Sequence, residues 1–462
     1  MEYRTATRLV ADLRSRQVSA AELLDHTISR IEPLDGTINA VVVRDFDRAR
    51  AEARKADEAL AAGDTRPLLG LPMTVKEAFN VAGLPTTWGL PGTQDIPVLE
   101  DAVAVARLKA AGAIVIGKTN IPTMLADWQS ANPIHGVTRN PWDLSRTPGG
   151  SSGGGAAALA AGFVSLEYGS DLASSLRAPA HFCGIFAHKP SHGLTPSRGF
   201  APPGTPVLSS ASGVDMSVVG PMARSAEDLA LALEVTAGPD DRDAVGYRLA
   251  LPPPRHDALK DYRVLVLDRH PLVPTAASIT GTLDLRATTL AALGCKVGRG
   301  SPHLPDLGEI ADTFVELLMA ALSGEAPDEP GTGASSHRDW IAADRRRTAI
   351  AHRWRALFQD WDVVLCPAMP VQALPLNGTD GPAMIEIDGA KVAYETQSLW
   401  GTLASLTGNP ATAMPSGLDA DGLPIGLQAV GPFLEDRTTI AFAGLMEREF
   451  GGFVRPPTPW RG

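Results

Sequence analysis

The stretch "TPGGSSGGGAAALAAG", Thr147 to Gly162, restricts the fold of this chain more than any other. Five glycines surround two adjacent serines, Ser151 and Ser152, and an alanine-rich run follows at once. Glycine permits a sharp turn and alanine favours the helix that leaves it, so the segment reads as a tight loop feeding a helix over 155–162. It also fits G-x-S-x-G twice, as Gly149 to Gly153 and as Gly150 to Gly154, the pattern of a nucleophile elbow. An elbow needs an apolar strand running straight into it. The preceding "NPWDLSRTP" has two prolines and no alternating apolar run, so the context fails. A loop that merely turns the chain is the plainer account unless another segment supplies chemistry.

Helix and strand patterns alternate on both sides of this loop, as in α/β folds. Helices are predicted over 5–33, where Leu23, Leu24, Ile28 and Ile31 share a face, and over 46–62. Lys76 falls in a short β-like run. "DAVAVARLKAAG" at 101–112 reads as a helix and "AIVIGKTN" as a buried strand. Beyond the loop come the strand "FVSLEYGSD", the turn "LASSLRAPA" and the helix "SAEDLALALEVTAG" at 225–238, with a serine cap and a glycine stop. "LPPPRHD" at 251–257 marks a linker, followed by a strand in "YRVLVLD" and a helix in "TAASITGTLDLRATTLAALG". Residues 300–350 read as irregular, a cap or surface insertion, and "WDVVLCP" and "GLPIGLQAVG" as returning strands. There is no internal repeat.

Composition matters for what it excludes. The net charge of −11 and the lack of a long Lys/Arg run argue against nucleic acid or an anionic membrane as partner. "DRRRT" at 344–348 reads as a solvated helix face. No apolar stretch reaches membrane-spanning length, and "MEYRTATRLVADLRSRQ" lacks an apolar core with a cleavage site. Cys183, Cys295 and Cys366 lie far apart and read as buried small apolar residues, which suits a reducing, cytoplasmic location.

Three motifs are candidates for chemistry. "GAIVIGKT", Gly112 to Thr119, satisfies the phosphate-loop pattern, but its middle residues are themselves the strand and cannot curl around an anion, so Lys118 is assigned a structural role. The ten histidines form no HExxH, HxH or other metal-binding pattern, and His181, His188 and His192 sit in a Gly/Pro-broken segment, so no metal is expected. The third is the combination of Lys76, the Gly/Ser loop and "YGSDLASSLRAPAHFCG". A buried lysine favours its neutral form and can take a proton from serine, although Glu77 beside it offers a plain salt-bridge partner.

The segments "LLGLPMTVKEAFNVAGLPTTWG", "DAVAVARLKAAGAIVIGKTN", "GVTRNPWDLSRTPGGSSGG", "GSDLASSLRAPAHFCGIFAHKPSHG", "VVGPMARSAEDLALAL", "WDVVLCPAMP" and "LTGNPATAMPSGLDADGLPIGLQAVGP" together resemble the amidase signature family of serine hydrolases, in family order from about residue 10 to about residue 450. The resemblance implies one amidase domain over 1–462, α/β in class, with a large mixed twisted sheet covered by helices on both faces. Within it, 1–65 would form N-terminal helices, 66–245 the catalytic core, 246–350 a less regular cap and 351–462 the returning core. It implies Lys76 as base, Ser151 as bridging serine and Ser175 as nucleophile, with a cis peptide at Gly150–Ser151. Neither serine of "GGSSGG" would then attack: Ser151 relays the proton and Ser152 supports it by hydrogen bonding. The implied oxyanion hole is the backbone of Leu172, Ala173, Ser174 and Ser175, braced by Asp171 and Arg177.

One departure stands out, because the family usually has glycine where this chain has Ser174. A Cβ there strains the turn if φ is positive, and its hydroxyl is a second candidate nucleophile. The expected activity is hydrolysis of small amides through an acyl-enzyme, with carbamates and esters sharing the same oxyanion chemistry, and no cofactor. The alternatives are a glutaminase-type subunit of a transamidation complex, working with partner proteins and tRNA, and a non-catalytic relative. A homodimer is left open. The cleft is expected to be mainly apolar and lined by "GFAPPGTPVLSS" at 199–210 and parts of 300–350.

Overall fold

The computed structural model describes residues 1–205, 214–322 and 336–457 of the 462-residue chain. Among these residues an eleven-stranded mixed sheet runs through the centre. Its spatial order is Val41–Arg44, Ile114–Thr119, Pro72–Lys76, Leu166–Asp171, Val218–Ala223, Phe186–Lys189, Ala411–Leu418, Pro424–Val430, Val363–Pro367, Arg263–Val266 and Lys296–Gly298. Parallel pairs join Ile114–Thr119 to Pro72–Lys76 and that strand to Leu166–Asp171, and join the last three strands at the other end. Antiparallel pairs fill the middle. Continuous apolar runs explain the inner strands: Ile114, Val115 and Ile116 are buried, as are Val363, Val364 and Leu365, because helices cover the sheet.

The predicted alternation corresponds to the helices Val103–Ala110, Ala226–Thr236 and Ala277–Ala292 and to the strands Ile114–Thr119, Arg263–Val266, Val363–Pro367 and Pro424–Val430. Ser225 caps its helix by accepting from the Asp228 amide, as its place in the sequence implies. The N-terminal helix divides in two, Ala6–Arg14 and Ala20–Ile38, because Ser19 and Glu22 form a capping box that starts the second.

Residues 300–350 are a larger correction. They hold the helix Leu307–Leu322 and most of His337–Asp360, while 323–335 lie outside the described residues. These helices pack Phe314, Leu317, Trp354 and Phe358 with Trp400 and Leu403 of the short helix Leu399–Ser405 in a second core cluster. Of the other segment expected to line the cleft, 206–210 lie outside the described residues, and Phe200 packs on Phe79 and Trp88, at ring-centroid distances of 4.9 and 5.2 Å. All three cysteines are buried and free. No helix among the described residues is long and apolar enough to cross a membrane.

Pro72–Lys76 and Leu166–Asp171 are parallel neighbours, so their carboxyl ends leave the sheet at one edge, the usual place for a site in such a sheet. The helix Gly153–Ala160 packs over both strands.

Candidate active site

Lys76 ends its strand fully buried, with Nζ donating to Ser151 Oγ at 2.6 Å and to Ser170 Oγ at 2.8 Å. Burial strips water from the ammonium form and pulls the amine down to about 7, against partial opposition from Asp171 and Glu167. The expected cis peptide is present at Gly150–Ser151. Ser152 is buried beside it, its Oγ near Ser170 O at 3.2 Å and its amide donating to Ser175 O at 3.2 Å.

The turn after Asp171 is held from within. Asp171 accepts from the amides of Ser174 and Leu176, both at 3.1 Å, and from Arg177 Nη2 at 2.8 Å. Burial would push the Asp171 carboxyl up, but the Arg177 guanidinium beside it holds it below the usual carboxylate range. Arg177 also donates to Gly401 O, Gln428 Oε1 and Ser405 Oγ, tying the turn to the far side of the sheet. Trp128 Nε1 donates to Ala173 O at 2.9 Å and anchors the turn from outside. With the Ser174 amide engaged by Asp171, the amides of Leu172, Ala173 and Ser175 have no protein acceptor among the described residues. Ser175 is 9% exposed, whereas Ser151 is 1% and Ser152 and Ser174 are 0% exposed. The arrangement therefore offers a buried amine of lowered basicity on hydroxyls, a reachable serine and unpaired amide donors at one edge of the sheet.

Lys76, Ser151, Ser152 and the Asp171–Arg177 turn are gathered as the sequence implied, but Glu77 is not the partner of Lys76. Neighbouring strand residues point to opposite faces, and Glu77 sits with Lys118 at 3.7 Å while accepting from the amides of Thr87 and Trp88. Lys118 is buried in the strand Ile114–Thr119, its Nζ donating to Thr86 Oγ1 at 3.0 Å. "LASSLRAPA" begins as a turn but continues into the helix Arg177–Cys183. Sequence reasoning misses Ser170, Glu167 and Trp128. Ser170 stands next to Asp171 in a segment already singled out, so its position is visible, but its contact with Lys76 depends on strand pairing.

The amidase family model matches residues 22–329 and 326–440. A putative amidase, AmiB2, of Mycobacterium bovis is 34% identical over 95% of this chain and 94% of its own length. A glutamyl-tRNA(Gln) amidotransferase subunit of an Anaeromyxobacter species is 31% identical over 97% of this chain and 96% of its own. A solved bacterial aryl acylamidase superposes with a TM-score of 0.83 at 25% identity, covering 96% of each chain. Fold and relatives define a hydrolase of carbon–nitrogen bonds. The chain belongs to the amidase signature family.

Proposed function

We propose that this protein hydrolyses small-molecule amides through an acyl-enzyme on Ser175, with Lys76 as base and Ser151 as proton relay. The observation that carries the reading is the buried Lys76 amine, brought down to about 7 by burial and within hydrogen-bonding reach of Ser151. A Ser175 proton passes to Ser151 as the Ser151 proton passes to Lys76, and Ser175 Oγ attacks the carbonyl carbon. The amides of Leu172, Ala173 and Ser175 receive the oxyanion; Ser174 contributes its place in the turn rather than a free N–H. Collapse of the tetrahedral intermediate breaks the C–N bond, and the proton returns through Ser151 to the departing amine. Water then repeats the sequence and releases the acid. Carbamates and esters pass through the same oxyanion and belong to the proposed range. The proposed setting is cytoplasmic, in keeping with three buried, free cysteines.

Kinetics and labelling test this together. Lys76→Ala is expected to remove most turnover, together with a rise of kcat/KM through about pH 7 to an alkaline plateau in the unsubstituted enzyme. Retention of full kcat/KM would rule out Lys76 as base. A sulfonyl fluoride or phosphonate should add mass to Ser175, quickly in the unsubstituted protein and slowly in Ser151→Ala. Label on Ser174 or Ser151 would move the nucleophile. Release of amine from aryl anilides, aliphatic amides and carbamates, or alcohol from esters, ranks the substrates. A second reading, a glutaminase-type subunit of a transamidation complex, draws on the likeness to amidotransferase subunits and predicts stable partners on native purification. Turnover of any of these substrates rules out a non-catalytic relative.

A further inference from the structure

Beneath Lys76 lies a second acid that the proton relay does not use. Glu167 is fully buried in the strand Leu166–Asp171, and its register partner on the neighbouring strand is Thr74, two residues before Lys76. Thr119, the register partner of Lys76 on its other side, donates from Oγ1 to Glu167 Oε1 at 2.7 Å. Side chains at paired positions of parallel strands share a face, so Thr74, Lys76, Thr119 and Glu167 form one polar cluster. The helix Gly153–Ala160 closes it from above: a Cβ on Gly155 would come within 2.5 Å of Glu167 Cγ. Inside the cluster the Thr74 hydroxyl stands opposite Glu167 and, like that of Thr119, favours the carboxylate.

A buried carboxylate is costly even with two hydroxyls beside it unless a cation answers it. Two carboxyl groups act on the Lys76 charge, Asp171 and Glu167. Asp171 is committed to Arg177, which with Lys189 holds its carboxyl below the usual range, so it stays charged whatever the state of Lys76. The covering helix, Gly153–Ala160, carries no ionisable side chain. Glu167 is thus left as the acid whose own charge is free to vary with that of Lys76.

We propose that Glu167 is a positioning residue for the base: from the adjacent strand its carboxyl group balances the charge Lys76 gains with a proton. This rests on Lys76 being the base. The two groups hold their protons jointly and titrate as a pair. Burial raises the Glu167 carboxyl to about 8, so near neutral pH the pair divides between amine with neutral acid and ammonium with carboxylate. Without Glu167 only the Coulomb help of Asp171 remains, and burial of Lys76 goes further unopposed. Glu167 itself makes and breaks no bond with substrate.

Glu167→Gln keeps the shape and an oxygen for Thr119 while removing the charge. Its acid limb of kcat/KM is expected about one pH unit lower than that of the unsubstituted enzyme, with plateau kcat reduced about tenfold because the amine is a weaker base, and KM unchanged. Thr119→Val, which withdraws the hydroxyl that favours the carboxylate, should move the limb the same way by a smaller amount and serves if the first variant folds poorly. A limb that stays in place in both variants, whatever the change in rate, would overturn the proposal and leave Glu167 a packing residue. Lys76→Ala run alongside separates the two readings: if that variant keeps turnover and its acid limb, the base assignment fails, whereas an inactive Lys76→Ala with unmoved limbs in the others defeats the role of Glu167 alone.

Discussion

At Ser174 the backbone takes φ = 74°, in the left-handed region where a Cβ crowds the main chain. Its hydroxyl is buried and has no hydrogen-bond partner. What makes room for it is Gly401: a Cβ on Gly401 would lie 1.8 Å from Ser174 Oγ and 3.1 Å from Ser174 Cβ, with Arg177 Nη2 next at 3.3 Å. Only one of the two positions tolerates a side chain. Ser174→Gly removes the strain and the orphaned hydroxyl, and is expected to raise thermal stability by about 1 kcal/mol and kcat several-fold, since well-aligned donors favour the transition state. Gly401→Ala alone should abolish most activity by pushing the turn off its seat, and Ser174→Gly in the same chain should restore it. Steady-state kinetics of the two single variants and the double one decide this, and absence of rescue would mean that Gly401 acts through something other than Ser174. The departure at Ser174 is plain in the sequence; its partner is not, because Gly401 is distant in the chain and meets it only through the fold.

The helix Gly153–Ala160 explains the run of small residues that restricts the fold so strongly. Every residue in it is buried, and at Gly154 it lies against main chain: a Cβ there would approach Asn120 N to 2.3 Å. Backbone cannot swing aside as a side chain can, so Gly154→Ala is expected to destabilise by about 1–3 kcal/mol, with a lowered Tm by calorimetry and a matching loss of active protein. An unchanged Tm would mean that helix and strand separate more easily than their packing implies. Ala226–Thr236 is legible because its apolar pattern and end signals agree, and Ile114–Thr119 because a continuous apolar run marks a strand buried on both faces. Phe186–Lys189 is too short for any period to register. Leu307–Leu322 and His337–Asp360 are hidden differently: the Pro and Gly residues at 326–333 fall between them and make the whole of 300–350 look broken. Lys76, Ser151 and Ser175 can be picked out because each sits in a dense motif. Glu167 and Ser170 cannot, since their meaning comes from strands lying side by side.

Across the whole molecule the candidate site is tied to a more distant strand of the sheet, Pro424–Val430. Arg177 reaches Gln428, and His181, on the helix Arg177–Cys183, bridges to the same strand and to the segment beside Val363–Pro367. His181 Nδ1 accepts the Gly426 amide at 2.7 Å, which leaves Nε2–H to donate to Val371 O at 3.1 Å, so the ring serves both partners as a neutral imidazole. Burial pulls its pKa down to about 4 from the ordinary 6.5, although the contacts with the Gly426 and Val371 backbone oppose the shift. Above pH 6.5 folded and unfolded chains both hold it neutral, and nothing is lost. Below that the unfolded chain takes up a proton that the folded one refuses until about pH 4, so stability falls as the pH drops through this window. His270, lowered to about 4 by burial, acts in the same direction. By pH 5 the His181 contribution alone amounts to about 2 kcal/mol. His181→Gln, which can still accept and donate, is expected to lower stability at pH 7.5 but to flatten its decline toward pH 5, read as a smaller difference between the urea midpoints at the two pH values. An equal decline in both proteins would show that acid acts on other groups and that the joint at His181 is indifferent to protons.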